Sequence, residues 1–318
     1  MKTIEAENLV KRYGGFTAVN GASLCVEPGE VFGFLGPNGA GKSTTVAMLT
    51  TLAKPTDGSA KVGGFDVVSE ASQVRRVSGV ALQEIGLDPL ITPDELLVLQ
   101  ASLFGASRRD AKVRAGELLE VVGLTDVASK PCGKFSGGMR RRLDLALALV
   151  HEPDILFLDE PTTGLDPASR RDVWREVRRL NRERGMTIFL TTQYLEEADE
   201  LAGRVAIISG GEIAAEGDPA KLKADLGEAS INLEFGSESE AGAAASALAG
   251  FSERSALDER VLRLYLPDAA QAVAGVVTRL NEAATAPQSL TLTQPSLDDV
   301  FLHVTGQRFD TEPAAKAA

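Results

Sequence analysis

The sequence predicts an α/β fold, a largely parallel sheet covered by helices on both sides, followed by a small α+β appendage. Three observations predict it. Between Asp154 and Gly217, short β-prone apolar runs alternate with helical stretches, the pattern of strands joined by crossover helices. The apolar run Val31–Leu35 leads straight into the glycine-rich segment Gly36–Thr44 and then a helix, a strand–loop–helix unit. Composition shifts near residue 228, and Gly236–Gly250 is rich in Ala, Ser, Gly and Glu.

Taken in order, Thr3–Val10 and Ala18–Val26 carry alternating or β-prone residues and end at the turn Glu27-Pro28-Gly29-Glu30. Val31–Leu35 is a short buried strand, and Thr44–Leu52 continues as a helix. Ser59–Val67 and Val77–Leu82 read as strands. From Pro93 to about Val122 leucines recur at helical spacing, and a further helix follows Ser136 to Val150. Ile155–Leu158, Thr187–Thr191 and Val205–Ser209 are strands, separated by helices over Ser169–Arg184 and Glu196–Ala202. Gly210-Gly211-Glu212 is a hairpin turn into Ile213–Glu216, and Pro219–Leu226 a closing helix. In the appendage Gly236–Gly250 separates the strands Ile231–Phe235 and Val261–Leu266. Ala269–Leu280 reads as helix, Ser289–Thr293 as strand and Leu297–Val304 as helix.

Composition narrows the function. Of 318 residues 44% are hydrophobic and 25% charged, ordinary values for a chain that buries its own core. A formal net charge of −12 argues against nucleic acid as a partner, because phosphate backbones demand a basic face. The basic cluster Arg140-Arg141-Arg142 is expected on a solvated helix face or subunit contact. Cys25 and Cys132 are too few for a disulfide framework, which suits a reducing compartment. The N-terminus has no signal-like apolar run, and no stretch approaches the roughly 18 apolar residues of a membrane span.

Three motifs carry chemistry. Gly36-Pro37-Asn38-Gly39-Ala40-Gly41-Lys42-Ser43-Thr44 fits G-x-x-x-x-G-K-[ST]. Its glycines let successive backbone N–H groups face phosphates, and the following helix adds its positive end. Lys42 is expected to reach the β- and γ-phosphates and Ser43 to hold Mg²⁺. The loop alone implies a nucleotide binder. In Ile155–Pro161 an apolar strand delivers Asp159 and Glu160 to its carboxyl end, where ligands bind in such sheets. Asp159 then suits Mg²⁺, and Glu160 suits the orientation or deprotonation of an attacking water. In Phe135–Met139, Ser136 is a good N-cap and Gly137 and Gly138 expose N–H groups at a helix start. That reads as a simple cap or as a second anion site, one that a partner's nucleotide could use.

In this order the loop at 36–44, Gln83, Ser136-Gly137-Gly138, Asp159-Glu160 and Gly164-Leu165-Asp166-Pro167 resemble the nucleotide-binding subunit of an ATP-binding-cassette (ABC) transporter. The resemblance covers residues 2 to about 226. It implies a P-loop NTPase fold with a mixed sheet, an antiparallel β subdomain and a helical subdomain at about 88–150. With the composition shift near 228, the expected domains are a nucleotide-binding domain over 1–227, a small accessory domain over 228–306 and a disordered tail over 307–318. It implies that Tyr13 stacks on the adenine and that Gln83 senses the γ-phosphate and Mg²⁺. Ser136, Gly137 and Gly138 would meet ATP held by a second copy of the chain, with Asp166 lining the seam. The region 93–122 would receive an integral membrane permease at the cytoplasmic face of the membrane.

The motifs depart from the commonest family pattern at Phe135 and Met139, usually Leu and Gln, and at Gln193, usually His. Glutamine can donate a hydrogen bond to the γ-phosphate but does not titrate near neutrality, so Glu160 is expected to be the base and Gln193 a positioner. His151 and His303 are expected to be structural or surface residues. Together with Ser136–Asp144, Thr191–Asp199 and Ser296–Leu302 these features resemble the daunorubicin-resistance-type efflux branch. That resemblance implies ATP-driven export of a hydrophobic antibiotic or lipid-like compound, with the appendage serving assembly with the permease or stabilising the dimer. The alternatives are a soluble ABC ATPase acting on ribosomes or DNA, a regulator that binds ATP without hydrolysis, and an importer's ATPase.

Overall fold

Residues 3–225, 229–252, 254–266, 268–293 and 295–305 are described by the computed structural model. They divide into two units, the first ending at Pro219 and the second beginning at Ala220. The expected boundary at 227/228 and the expected tail 307–318 lie outside the described residues.

The first unit opens with β1 (Ile4–Tyr13), β2 (Phe16–Val26), β3 (Val31–Leu35), α1 (Lys42–Leu49), β4 (Asp57–Val62) and β5 (Phe65–Asp66). It continues through α2 (Ala71–Val77), β6 (Ser78–Ala81), α3 (Pro93–Leu103), α4 (Arg108–Val121) and α5 (Gly137–Ala148). After these come β7 (Ile155–Asp159), α6 (Pro167–Arg184), β8 (Thr187–Thr192), α7 (Leu195–Leu201), β9 (Arg204–Ser209) and β10 (Glu212–Gly217). The short helix α8 (Pro219–Asp225) spans the division between units.

Two sheets result. The antiparallel one runs β2-β1-β4-β5, and its first hairpin turns at Gly14-Gly15, so β1 extends three residues beyond the expected strand end. The second is mixed, in the order β10-β9-β3-β8-β7-β6. Its strands from β9 to β6 are parallel, and β10 returns antiparallel over the Gly210-Gly211 turn, as the glycine pair predicts. Every residue of β3, β7 and β8 is buried, as strands covered on both faces require. Phe32, Phe34 and Phe157 gather round Phe189 at centroid distances of 5.5–5.6 Å and lock the sheet centre.

The expected helical stretch 93–122 is two helices. Thr92 and Glu95 form a capping box with Pro93 in the first turn of α3. The chain then breaks at Gly105, where φ is +91°, and restarts at the N-cap Ser107. Leu97, Leu118, Leu119 and Leu143 of α3–α5 share one core with Leu149, which follows α5. The arginine triplet corrects an expectation. Arg140 is exposed, but Arg141 is buried and Arg142 half-buried, because 100° per residue sends consecutive side chains to different faces. No helix of the described residues is long and apolar enough to cross a membrane.

The second unit contains β11 (Ala229–Glu234), α9 (Glu238–Ala247), β12 (Arg254–Asp258), β13 (Val261–Leu266), α10 (Ala269–Glu282), β14 (Ser289–Thr293) and α11 (Leu297–Thr305). Its sheet is antiparallel in the order β12-β13-β11-β14. Ile231, Leu233, Leu262 and Leu264 meet Ala244 of α9 and Val276 and Leu280 of α10 in one core. The segment Gly236–Gly250, expected only to separate strands, holds α9. Ser237 caps it by accepting from the Glu240 N–H, and its alanines favour helix while hiding the usual leucine periodicity.

Candidate functional site

The site is built at the carboxyl ends of β3, β7 and β8, the place where open α/β sheets take their ligands. Gly36 leaves β3 so close to β9 that a Cβ there would lie 2.5 Å from the Ile208 carbonyl oxygen. Gly41 closes the loop at φ +111°, and its Cβ would meet the Ala18 carbonyl oxygen at 2.6 Å. Only glycine satisfies both positions. α1 then starts at Lys42, with its first N–H groups directed back into the loop.

Lys42 curls over this loop. Its Nζ donates to the carbonyls of Gly36 at 2.7 Å and Pro37 at 3.1 Å and pairs with Glu160 Oε1 at 3.0 Å. Asp159 and Glu160 end β7 as predicted, both buried. Asp159 Oδ1 accepts from Ser43 Oγ at 3.2 Å and from Thr191 Oγ1 at 2.5 Å. Glu160 Oε2 accepts from Gln83 Nε2 at 3.0 Å and Thr163 Oγ1 at 3.2 Å, while its N–H donates to Thr191. Glu160 holds φ +48°, a left-handed conformation that a non-glycine residue adopts only when its surroundings impose it.

Lys42, Ser43, Gln83, Asp159 and Glu160, predicted from separate stretches of chain, therefore form one bonded network. A cleft of about 680 Å³ opens over it. Asn38, Thr44, Gln193 and Tyr194 also line this cleft. Ala40 is buried within the loop, its N–H donating to the Pro37 carbonyl. Tyr13 stands half-exposed at the hairpin tip with Lys11 Nζ 5.0 Å above its ring. Its cross-strand partner Phe16 lines the cleft. Phe16, Thr163, Thr191 and Arg141 escaped the reading of the sequence. The family resemblance named Tyr13 for the adenine and gave no signal for Phe16.

Ser136, Gly137, Gly138 and Asp166 do not line this cleft. Ser136 caps α5 by accepting from the Met139 N–H at 3.2 Å. Asp166 caps α6 through the N–H groups of Ala168 and Ser169 and accepts from Ser169 Oγ at 2.6 Å, bonds that hold its carboxyl below the usual range. The two helix starts pack tightly, since a Cβ on Gly138 would lie 2.6 Å from Ser169 Oγ. His151 contacts the Ser78 carbonyl oxygen at 3.1 Å and stacks on Phe104, and His303 is exposed on α11. His151 does not line the cleft.

Residues 19–163 match the sequence profile of the family described as ABC transporter, and 131–196 match one described as an AAA domain, putative AbiEii toxin. The chain is 44% identical over 312 residues to the daunorubicin resistance ATP-binding protein DrrA3 of Streptomyces coeruleorubidus, covering 98% of each. The chain belongs to the ABC transporter family. Within it, a further relative is the linearmycin resistance ATP-binding protein LnrL of Bacillus subtilis, 39% identical over 96% of this chain and 98% of that protein. A solved ABC cassette has a similar fold: the dimeric post-hydrolysis state of MJ0796 bound to ADP and Pi. Its TM-score is 0.62 at 27% identity, over 68% of this chain and 98% of the cassette. The family membership and the daunorubicin-type branch agree with the resemblance read from the motifs. The chain is an ATP-binding, ATP-hydrolysing ABC subunit of the exporter type, and the cassette fold with its mixed sheet is the one expected.

Proposed function

We propose that the chain supplies the energy for exporting a hydrophobic antibiotic or lipid-like compound. It acts as a homodimer on a separate membrane permease, at the cytoplasmic face of the membrane. The observation that carries this reading is the separation of two half-sites within one chain. The phosphate loop, Gln83 and Glu160 line one cleft, whereas Ser136–Gly138 and Asp166, at the starts of α5 and α6, are not part of its lining. Two copies about a two-fold axis would complete each other's site, an arrangement that closes without further subunits. The dimeric cassette of similar fold supports it.

In each site the loop's N–H groups and the start of α1 would hold the phosphates of ATP, with Lys42 on the β- and γ-phosphates. Tyr13 would stack on the adenine beside Phe16. Ser43 and Asp159, whose oxygens lie 3.2 Å apart, and the Gln83 amide form a hard oxygen donor set that fits Mg²⁺. When bound, Mg²⁺ would neutralise charge on the β- and γ-phosphate oxygens. Glu160 is the general base for the attacking water, and Gln193 hydrogen-bonds the γ-phosphate. The partner's Ser136–Gly138 N–H groups would meet the same phosphate, so hydrolysis follows closure of the dimer.

The names of the relatives support a hydrophobic cargo, since daunorubicin and linearmycin resistance proteins are among them. Leu99 and Leu103 of α3 and Phe104 just after it are exposed, an apolar surface suited to a helix of the permease. The deciding experiment is Glu160→Gln in the chain purified with its permease. Single-turnover hydrolysis should fall by about a hundred-fold or more while ATP affinity is retained. Near-normal hydrolysis would remove Glu160 from the role of base.

A further inference from the structure

Arg141 is 4% exposed, and each nitrogen of its guanidinium donates a hydrogen bond. Nε donates to the Pro161 carbonyl at 2.8 Å and Nη2 to the Asp159 carbonyl at 3.0 Å. Nη1 donates to the Leu82 carbonyl at 2.5 Å and to Asp144 Oδ2 at 3.0 Å. These three carbonyls belong to two segments of the nucleotide site. Asp159 and Pro161 flank Glu160, and Leu82 immediately precedes Gln83. One planar group thus holds the backbone on both sides of Glu160 and just ahead of Gln83, whose side chains are themselves joined at 3.0 Å. The rigid fork of an arginine can do this, whereas a lysine offers a single point of donation.

Packing alone does not account for a buried cation here. Guanidinium burial is costly unless every donor is paired, and an apolar side chain would fill the same volume at less cost. Burial pushes the Asp144 carboxyl up to about 6, against the pull of Arg141. The strained φ of Glu160 needs such external support.

Arg141 also belongs to α5, whose first residues are Gly137 and Gly138 after the cap Ser136. Gly137 and Arg141 lie about one turn apart on a single rigid helix. We infer that Arg141 is a positioning residue that couples the two ATP sites of the dimer. The seating of the start of α5 against the partner's nucleotide is passed through Arg141 to Glu160 and Gln83 of its own subunit. The inference rests on the shared-site reading above. It adds the route by which one site senses the other.

The test uses the full-length chain purified with its membrane partner, with Arg141→Lys, Arg141→Gln, Asp144→Asn and Glu160→Gln measured beside wild type. Fluorescent trinitrophenyl-ATP reports affinity, and steady-state hydrolysis against ATP concentration reports kcat and the Hill coefficient. Arg141→Lys should bind nucleotide within about two-fold of wild type, lose about ten-fold or more in kcat and fall to a Hill coefficient of about 1. Asp144→Asn, which keeps the guanidinium and removes its counter-charge, should lie between the two. Wild-type kcat and cooperativity in Arg141→Lys overturn the inference, and so does a parallel loss of affinity, kcat and melting temperature, the mark of a merely structural residue. Should neither Arg141 variant fold, Asp144→Asn decides by the same criteria. A wild-type complex with a Hill coefficient of 1 overturns the inference together with the shared site. A cooperative wild type, inactive as Glu160→Gln but indifferent to Arg141, overturns the inference alone.

Discussion

The Thr191 hydroxyl sits between the two acids at the end of β7. It donates to Asp159 Oδ1 at 2.5 Å, accepts from the Glu160 N–H at 3.0 Å, and is fully buried. Valine has the same shape without the oxygen, so Thr191→Val leaves a buried carboxylate short of a partner, at a cost of about 1–3 kcal/mol. We expect it to lower kcat about ten-fold or more with ATP affinity held within a few-fold, measured by steady-state hydrolysis and nucleotide titration. Lys42, Ser43, Asp159 and Glu160 were legible in the sequence because their chemistry demands a contiguous pattern beside an apolar strand. Thr191 was not, because it becomes relevant only through the β7–β8 register that sets it opposite Asp159. Arg141 was hidden differently. Within Arg140-Arg141-Arg142 it looked like a solvated charge, and only the rotation of α5 separates it from its neighbours.

At the scale of elements, long periodic or fully apolar segments declared themselves, as β3, β7, β8 and α6 illustrate. Segments with weak apolar patterns did not. α2 buries only Val74, β12 is exposed along its whole length, and α9 packs through Ala241 and Ala244. Their structure comes from the neighbours they pack on or pair with, which no local pattern reports. The junction of α5 and α6 depends on close approach at Gly138, where an added methyl would strike Ser169 at its Oγ and Cβ, 2.6 and 2.9 Å away. Gly138→Ala should therefore destabilise the protein by about 1–3 kcal/mol, seen as a lowered thermal midpoint. Ser169→Gly in the same chain should recover part of the loss. An unchanged midpoint in the single variant would mean that the helix starts separate freely.

For the whole molecule, the central claim is that the loop of one copy works with Ser136–Gly138 of another. Acidic net charge argued against nucleic acid as a partner but could not indicate a dimer. That indication came from two phosphate-seeking motifs that the fold sets apart on one chain. A disulfide tests it directly, because two cysteines bridge only when their Cα atoms come within about 7 Å. With Cys25 and Cys132 replaced by serine, Asn38→Cys and Gly137→Cys are placed together in a Glu160→Gln chain that retains ATP. Mild oxidation with ATP and Mg²⁺ should give a covalent dimer, much less without nucleotide. Chains that stay monomeric with ATP bound, or that close the bridge internally, would contradict the shared site.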